Sequence, residues 1–86
     1  MLHHVSLEVP PAEVERAVEF WRLLGFAPVG EPDVLGGYVT WLEREGTQVH
    51  LIHAEQATVP PLGHAAVVVA DFEAAFAALE EGGFEP

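Results

Sequence analysis

An α+β fold is predicted for this 86-residue chain: one βαβββ unit followed by the start, βα, of a second. Three observations predict it. The stretch Leu2-His3-His4-Val5-Ser6-Leu7-Glu8-Val9 alternates, and Leu62-Gly63-His64-Ala65-Ala66-Val67-Val68-Val69 repeats its pattern sixty positions later. Each copy is followed by a helical periodicity that ends in Gly-Phe, at Gly25-Phe26 and at Gly83-Phe84. Between the copies lie two further alternating runs separated by a tight turn. The pairs Leu2/Leu62, His4/His64, Val9/Val69, Glu13/Glu73 and Ala17/Ala77 share one offset, and Gly25/Gly83 and Phe26/Phe84 share an offset two residues shorter.

In the first strand Val5, Leu7 and Val9 point one way and His4, Ser6 and Glu8 the other, because successive strand side chains take opposite faces. Pro10-Pro11 stops pairing and admits a helix, since proline is tolerated in a first turn. From Ala12 to Leu24 the residues Val14, Ala17, Val18, Trp21 and Leu24 recur at three- and four-residue steps, with charged residues between them, as on an amphipathic helix. Gly25 suits the left-handed position past the helix end, and Phe26 the apolar contact beyond it.

A short strand over Phe26 to Gly30 contains Pro28, which calls for a sheet edge or a bulge. Glu31 to Gly37 reads as a loop. Tyr38 to Glu43 and Thr47 to His53 form a hairpin around Arg44-Glu45-Gly46. In its second strand Val49 and Leu51 alternate against Gln48, His50 and Ile52. Ala54 to Gly63 is a connector. A strand is expected from His64 to Val69, then an N-cap at Asp71 and a helix with Phe72, Ala75, Phe76 and Leu79 on its apolar face. The chain thus divides into a first module (1–53), a connector (54–63) and a partial second module (64–86). The second module ends before its last three strands, so the sequence reads as a truncated form of something longer by roughly 35–45 residues, at ~5–6 residues per strand plus turns.

Composition narrows the partners. Fourteen acids stand against Arg16, Arg22 and Arg44, with no lysine and a formal charge of −11. Such a surface repels phosphate, which argues against nucleic acid and anionic membranes and leaves room for a cation or a cationic ligand. Without cysteine there are no disulfides and no thiolate metal sites. No apolar run reaches the ~18–20 residues of a membrane span, and the N-terminus lacks the order of a signal peptide, so a cytoplasmic protein is the expectation.

The histidines carry the functional signal. His4 and His64 occupy matching positions on faces that the apolar rows do not use, and His50 also lies opposite an apolar pair. His3 and His53 have the wrong parity and are expected at the surface. Glu8 shares the face of His4 but lies ~13 Å along the strand, too far to join it. Trp41 falls on the His50 face if the hairpin loop has an even length and turns toward the helices if it is odd. Trp21, Phe20 and Phe76 are expected in the core.

A strand beginning His-Val-x-Leu-x-Val, a helix ending Phe-Trp-x-x-Leu-Gly-Phe, a hairpin and then Gly-His-x-x-Val-x-Val-x-Asp together resemble the vicinal oxygen chelate superfamily, the glyoxalase I, bleomycin resistance protein and extradiol dioxygenase group. The pattern runs through residues 1–86, about two-thirds of a full paired-module domain. The resemblance implies a strongly curved mixed sheet with helices on its outer face and a divalent metal on the concave one. It places metal ligands at His4, His50 and His64. The superfamily's fourth ligand, a glutamate on the last strand of the second module, lies beyond this sequence. In extradiol dioxygenases a proton-handling histidine stands near the place of His50, so His50 is either a third ligand or an acid/base.

Neutral imidazoles suit Zn, Ni, Mn or Fe, and none of these is singled out. The resemblance implies a metal-dependent enzyme, a glyoxalase-like lyase or isomerase or an extradiol-dioxygenase-like oxidoreductase, acting on a small substrate with vicinal oxygens. The alternative is a non-catalytic protein of the bleomycin-resistance type that holds a cationic ligand in an acidic groove; a third reading is a partial module with a structural role. A homodimer is expected, with strands exchanged between chains, because an unfinished module leaves an open sheet edge and apolar surface for a second copy to cover.

Overall fold

The computed structural model describes residues 1–30 and 37–85. Strand β1 (His4–Val9) alternates as the sequence requires, with Val5, Leu7 and Val9 half-buried and His4, Ser6 and Glu8 exposed. A 3₁₀ turn (Pro11–Glu13) leads into α1 (Val14–Leu23). The α-helix therefore begins two residues after the expected Ala12. The Glu13 N–H donates to the Pro10 carbonyl at 2.9 Å, the shorter-span bond that tightens a first turn.

The end of α1 explains the Gly-Phe signature. Gly25 has φ +92°, and its N–H donates to the Arg22 carbonyl at 3.0 Å while the Phe26 N–H reaches the Trp21 carbonyl at 3.0 Å. This is the Schellman pairing, which satisfies the last helical carbonyls only if one residue is left-handed. Helix α2 (Phe72–Glu81) ends the same way. Gly83 has φ +86°, the Gly83 N–H donates to Glu80 at 3.0 Å, and the Phe84 N–H to Leu79 at 2.9 Å. The repeat in sequence is a repeat of local geometry. At the other end of α2, the Asp71 carboxylate accepts from the Ala74 N–H at 3.0 Å, the expected N-cap.

Strands β2 (Ala27–Val29), β3 (Val39–Arg44) and β4 (Thr47–His53) complete one mixed, curved sheet of order β1-β4-β3-β2. Pro28 lies on an edge strand, where its missing donor costs nothing. Most of the predicted loop between β2 and β3 lies outside the described residues. Glu45 (φ +49°) and Gly46 (φ +85°) form a two-residue turn with Arg44 opposite Thr47, the positive-φ turn that matches strand twist. β1 runs parallel to β4, which the intervening helix crossover permits.

Register separates the two faces. Val5 pairs with Val49 and Leu7 with Leu51, and Leu42 lies opposite Val49. These residues meet α1 in a core of Trp21, Phe26, Leu42, Val49 and Leu51, flanked by Phe20, Val18 and Val67. Leu42 and Leu51 are completely excluded from solvent. The other face carries His4 beside Gln48, Ser6 beside His50, and Trp41 directly opposite His50.

Two expectations change. His64–Val69 is not a strand. Val67 and Val69 are half-buried and Val68 is exposed, so strand-like alternation persists, but among the described residues its backbone makes no backbone–backbone hydrogen bond. A strand exists only as a member of a ladder, and no described strand lies alongside this segment to make one. It is held instead by Arg44, whose guanidinium donates to the Leu24 carbonyl at 3.0 Å and the Val68 carbonyl at 2.7 Å while lying over the Phe26 ring. The second change concerns α2. Phe72 and Phe76, expected on its buried face, are 72% and 37% exposed. That face meets an open groove of about 340 Å³ between α1 and residues 65–69 rather than a closed core.

Candidate functional site

The polar face of the sheet brings two of the three singled-out histidines together. The His4 and His50 rings stack with centroids 4.0 Å apart and planes 15° from parallel. The Trp41 indole covers the other side of His50 at 4.3 Å and 6°. The two-residue hairpin loop is even, so Trp41 faces His50 as that parity requires. Three adjacent strands thus contribute a row of three aromatic rings standing side by side, at about the spacing of neighbouring strands.

His50 is the enclosed member, 7% exposed, whereas His4 is open to solvent. Burial holds the His50 pKa below the ordinary histidine value, and the neighbouring His4 and then His3 add to the depression. Both effects penalise the imidazolium and favour a neutral ring.

A polar chain extends from His50. Its Nε2 lies 2.7 Å from Gln48 Oε1, and Gln48 Nε2 donates to Glu43 Oε1 at 3.1 Å. Gln48 and Glu43 were not singled out from the sequence, although Gln48 was visible on the His50 face by alternation; the Glu43–Gln48 register depends on the turn length. On the other side, His3 Nδ1 lies 2.9 Å from His4 Nδ1. The Gln48 N–H to His3 carbonyl bond, 2.9 Å, anchors His3 just ahead of β1. His3, expected at the surface for its parity, is exposed and also contacts His4.

His64 stands apart. Its Nδ1 lies 3.1 Å from the Leu62 carbonyl, and it lines a cavity of about 430 Å³ with Leu2, Val5, Trp21, Phe26 and Val49. Val5 and Val49 belong to the helix-covered face, not the His4/His50 face. His53, expected at the surface, is half-buried with Nε2 2.8 Å from the Thr40 hydroxyl. Glu8 accepts from the Thr58 N–H at 3.3 Å and so ties down the connector.

Imidazole is the right donor type for a divalent transition metal, but two rings stacked nearly parallel do not aim their nitrogens at a common point. Among the described residues, no three His, Cys, Asp or Glu side chains are placed to hold a metal ion. No helix among the described residues is long and apolar enough to cross a membrane.

The chain thus combines a curved mixed sheet, helices on one of its faces and a histidine-bearing polar surface on the other. The chain belongs to the Glyoxalase/Bleomycin resistance protein/Dioxygenase superfamily, whose profile matches residues 1–86. A solved structure described as "putative glyoxalase family protein from Bacillus anthracis" is similar over 99% of this chain and 71% of its own, with a TM-score of 0.83 and 20% identity. At that identity the likeness establishes the fold. No curated protein sequence matches the chain.

Proposed function

We propose that the polar sheet face is one half of a metal-dependent catalytic site, of glyoxalase-like lyase or isomerase or of extradiol-dioxygenase type, for a small substrate with vicinal oxygens. The observation that carries this reading is the side-by-side placement of His4 and His50 on a face that the core does not use. A divalent ion bound there would supply Lewis-acid polarisation of two substrate oxygens. His4, open to solvent, is an imidazole donor; His50 is a second donor only once the two rings turn out of their parallel stack, or else the acid/base beside the ion. The third donor, His64, comes from a second copy of the chain in a homodimer, because within one chain it lines a cavity shared with the helix-covered face. Trp41 walls the substrate side of His50 and limits its access to water.

Metal analysis of protein purified without chelators tests this. The expected result is stoichiometric Zn, Ni, Mn or Fe that is lost in His4→Ala and in His64→Ala, and recovered in part when those two variants are mixed. Recovery on mixing follows only if different chains supply the two residues.

A second reading has its own support. The charge of −11 and the aromatic row of His4, His50 and Trp41 suit a planar cationic ligand held without chemistry, as in bleomycin-resistance-type binding proteins. Metal-free protein that binds a cationic glycopeptide tightly would establish that reading in place of the first.

A further inference from the structure

The hydrogen-bond chain running from His50 to Glu43 has a fixed direction. An ionised carboxylate only accepts, so the Gln48 side chain must turn its amide NH₂ toward Glu43 Oε1, 3.1 Å away. That leaves the amide oxygen facing His50. An amide oxygen also only accepts, so the nitrogen 2.7 Å from it, His50 Nε2, must carry the hydrogen. The reverse arrangement would set the amide oxygen against the carboxylate, two acceptors with no proton between them. Stacking between His4 and Trp41, at 4.0 and 4.3 Å, leaves the ring no room to tumble and exchange its nitrogens.

We infer that Gln48 and Glu43 are positioning residues that lock His50 as its Nε2–H tautomer, leaving Nδ1 as the one nitrogen free to ligate a metal or accept a proton. Histidines that ligate metals or move protons are commonly oriented this way, by a hydrogen bond at the nitrogen not in use. Gln48 is the relay and Glu43 the polarity-setting end. The catalytic meaning of the lock rests on the function proposed above; the tautomer does not.

The experiment is ¹⁵N-detected NMR of the imidazole ring nitrogens in the full chain, stripped of metal and held at neutral pH. It therefore needs neither metal nor substrate, and its outcome is independent of the metal analysis. Wild type is expected to give the pattern of a single Nε2–H tautomer for His50. Gln48→Leu removes the acceptor, and Glu43→Leu frees the amide to flip; each is expected to give a mixture of tautomers. The exchanged pair Glu43→Gln/Gln48→Glu keeps an acceptor beside Nε2 and is expected to restore the single form. A mixed or Nδ1–H pattern in wild type overturns the inference, as does an unchanged pattern in both single variants. A variant that does not fold is replaced by Gln48→Met or Glu43→Gln, for which the same mixture is expected.

Discussion

His50 is the enclosed member of the aromatic row, and its surroundings make a prediction about stability. Because burial and the adjacent histidines lower its pKa in the folded state, the unfolded chain takes up a proton first as the pH falls. The neutral ring is therefore compatible with full stability above the ordinary histidine range of about 6.5, and stability declines as the pH drops from there toward the lower folded-state value. Urea unfolding of metal-free protein between about pH 7 and about pH 5 is expected to show this decline, and His50→Gln is expected to flatten it. An equal slope in the two proteins would remove the premise that His50 is held neutral by its setting. A different cost attaches to Leu51, which is fully excluded from solvent: Leu51→Ala is expected to lose about 2–5 kcal/mol, read from the same unfolding curves.

Among the elements, the two helix ends and the unpaired segment differ in how far sequence revealed them. The Gly-Phe endings were legible because one residue type answers one backbone requirement, and Gly25 and Gly83 both take positive φ. Gly25→Ala is expected to cost about 1–2 kcal/mol from its left-handed backbone alone. Its new methyl would also meet Arg44 Cδ at 3.0 Å. Alternation likewise put Val5 and Leu7 on one face of β1 and Val49 and Leu51 on one face of β4, and it is these faces that meet the core. The segment His64–Val69 has the same alternation yet is not a strand, because pairing is a property of two segments and a local pattern reports only one. The aromatic row was half legible for a related reason: parity put His4 and His50 on one face, but the even hairpin loop that adds Trp41 was a matter of turn geometry. Arg44 links these elements through the Leu24 and Val68 carbonyls. Arg44→Met should loosen residues 64–69 and cost about 1.5–3 kcal/mol for the lost charge-assisted bonds. Greater backbone mobility of residues 64–69 by ¹⁵N relaxation, together with a lowered urea midpoint, is the measurement that checks it.

At the scale of the whole molecule, the distribution of cations sets the terms on which chains meet. Of three arginines, Arg44 is engaged with two backbone carbonyls, and Arg16 lies over the Phe84 ring at 3.7 Å and within 3.2 Å of Glu19. All three keep their charge but are outnumbered by fourteen acids, leaving a formal charge of −11, so two copies approach against a common negative field. Association through the apolar groove or the outer side of β1 must overcome that field. Light scattering is therefore expected to show dimer formation strengthened by added salt, which shortens the range of the repulsion.

The unladdered valines beside Arg44 give that charge a further meaning. A stretch with strand-like alternation and idle amides will zip onto whatever complementary backbone arrives, and mutual repulsion among the carboxylates is what keeps the arrivals selective. Acidification toward the isoelectric point of about 4.5 would silence the repulsion while leaving the amides ready. The chain should then coalesce into sheet-rich precipitate, in the manner of a fastener whose guard has been taken off.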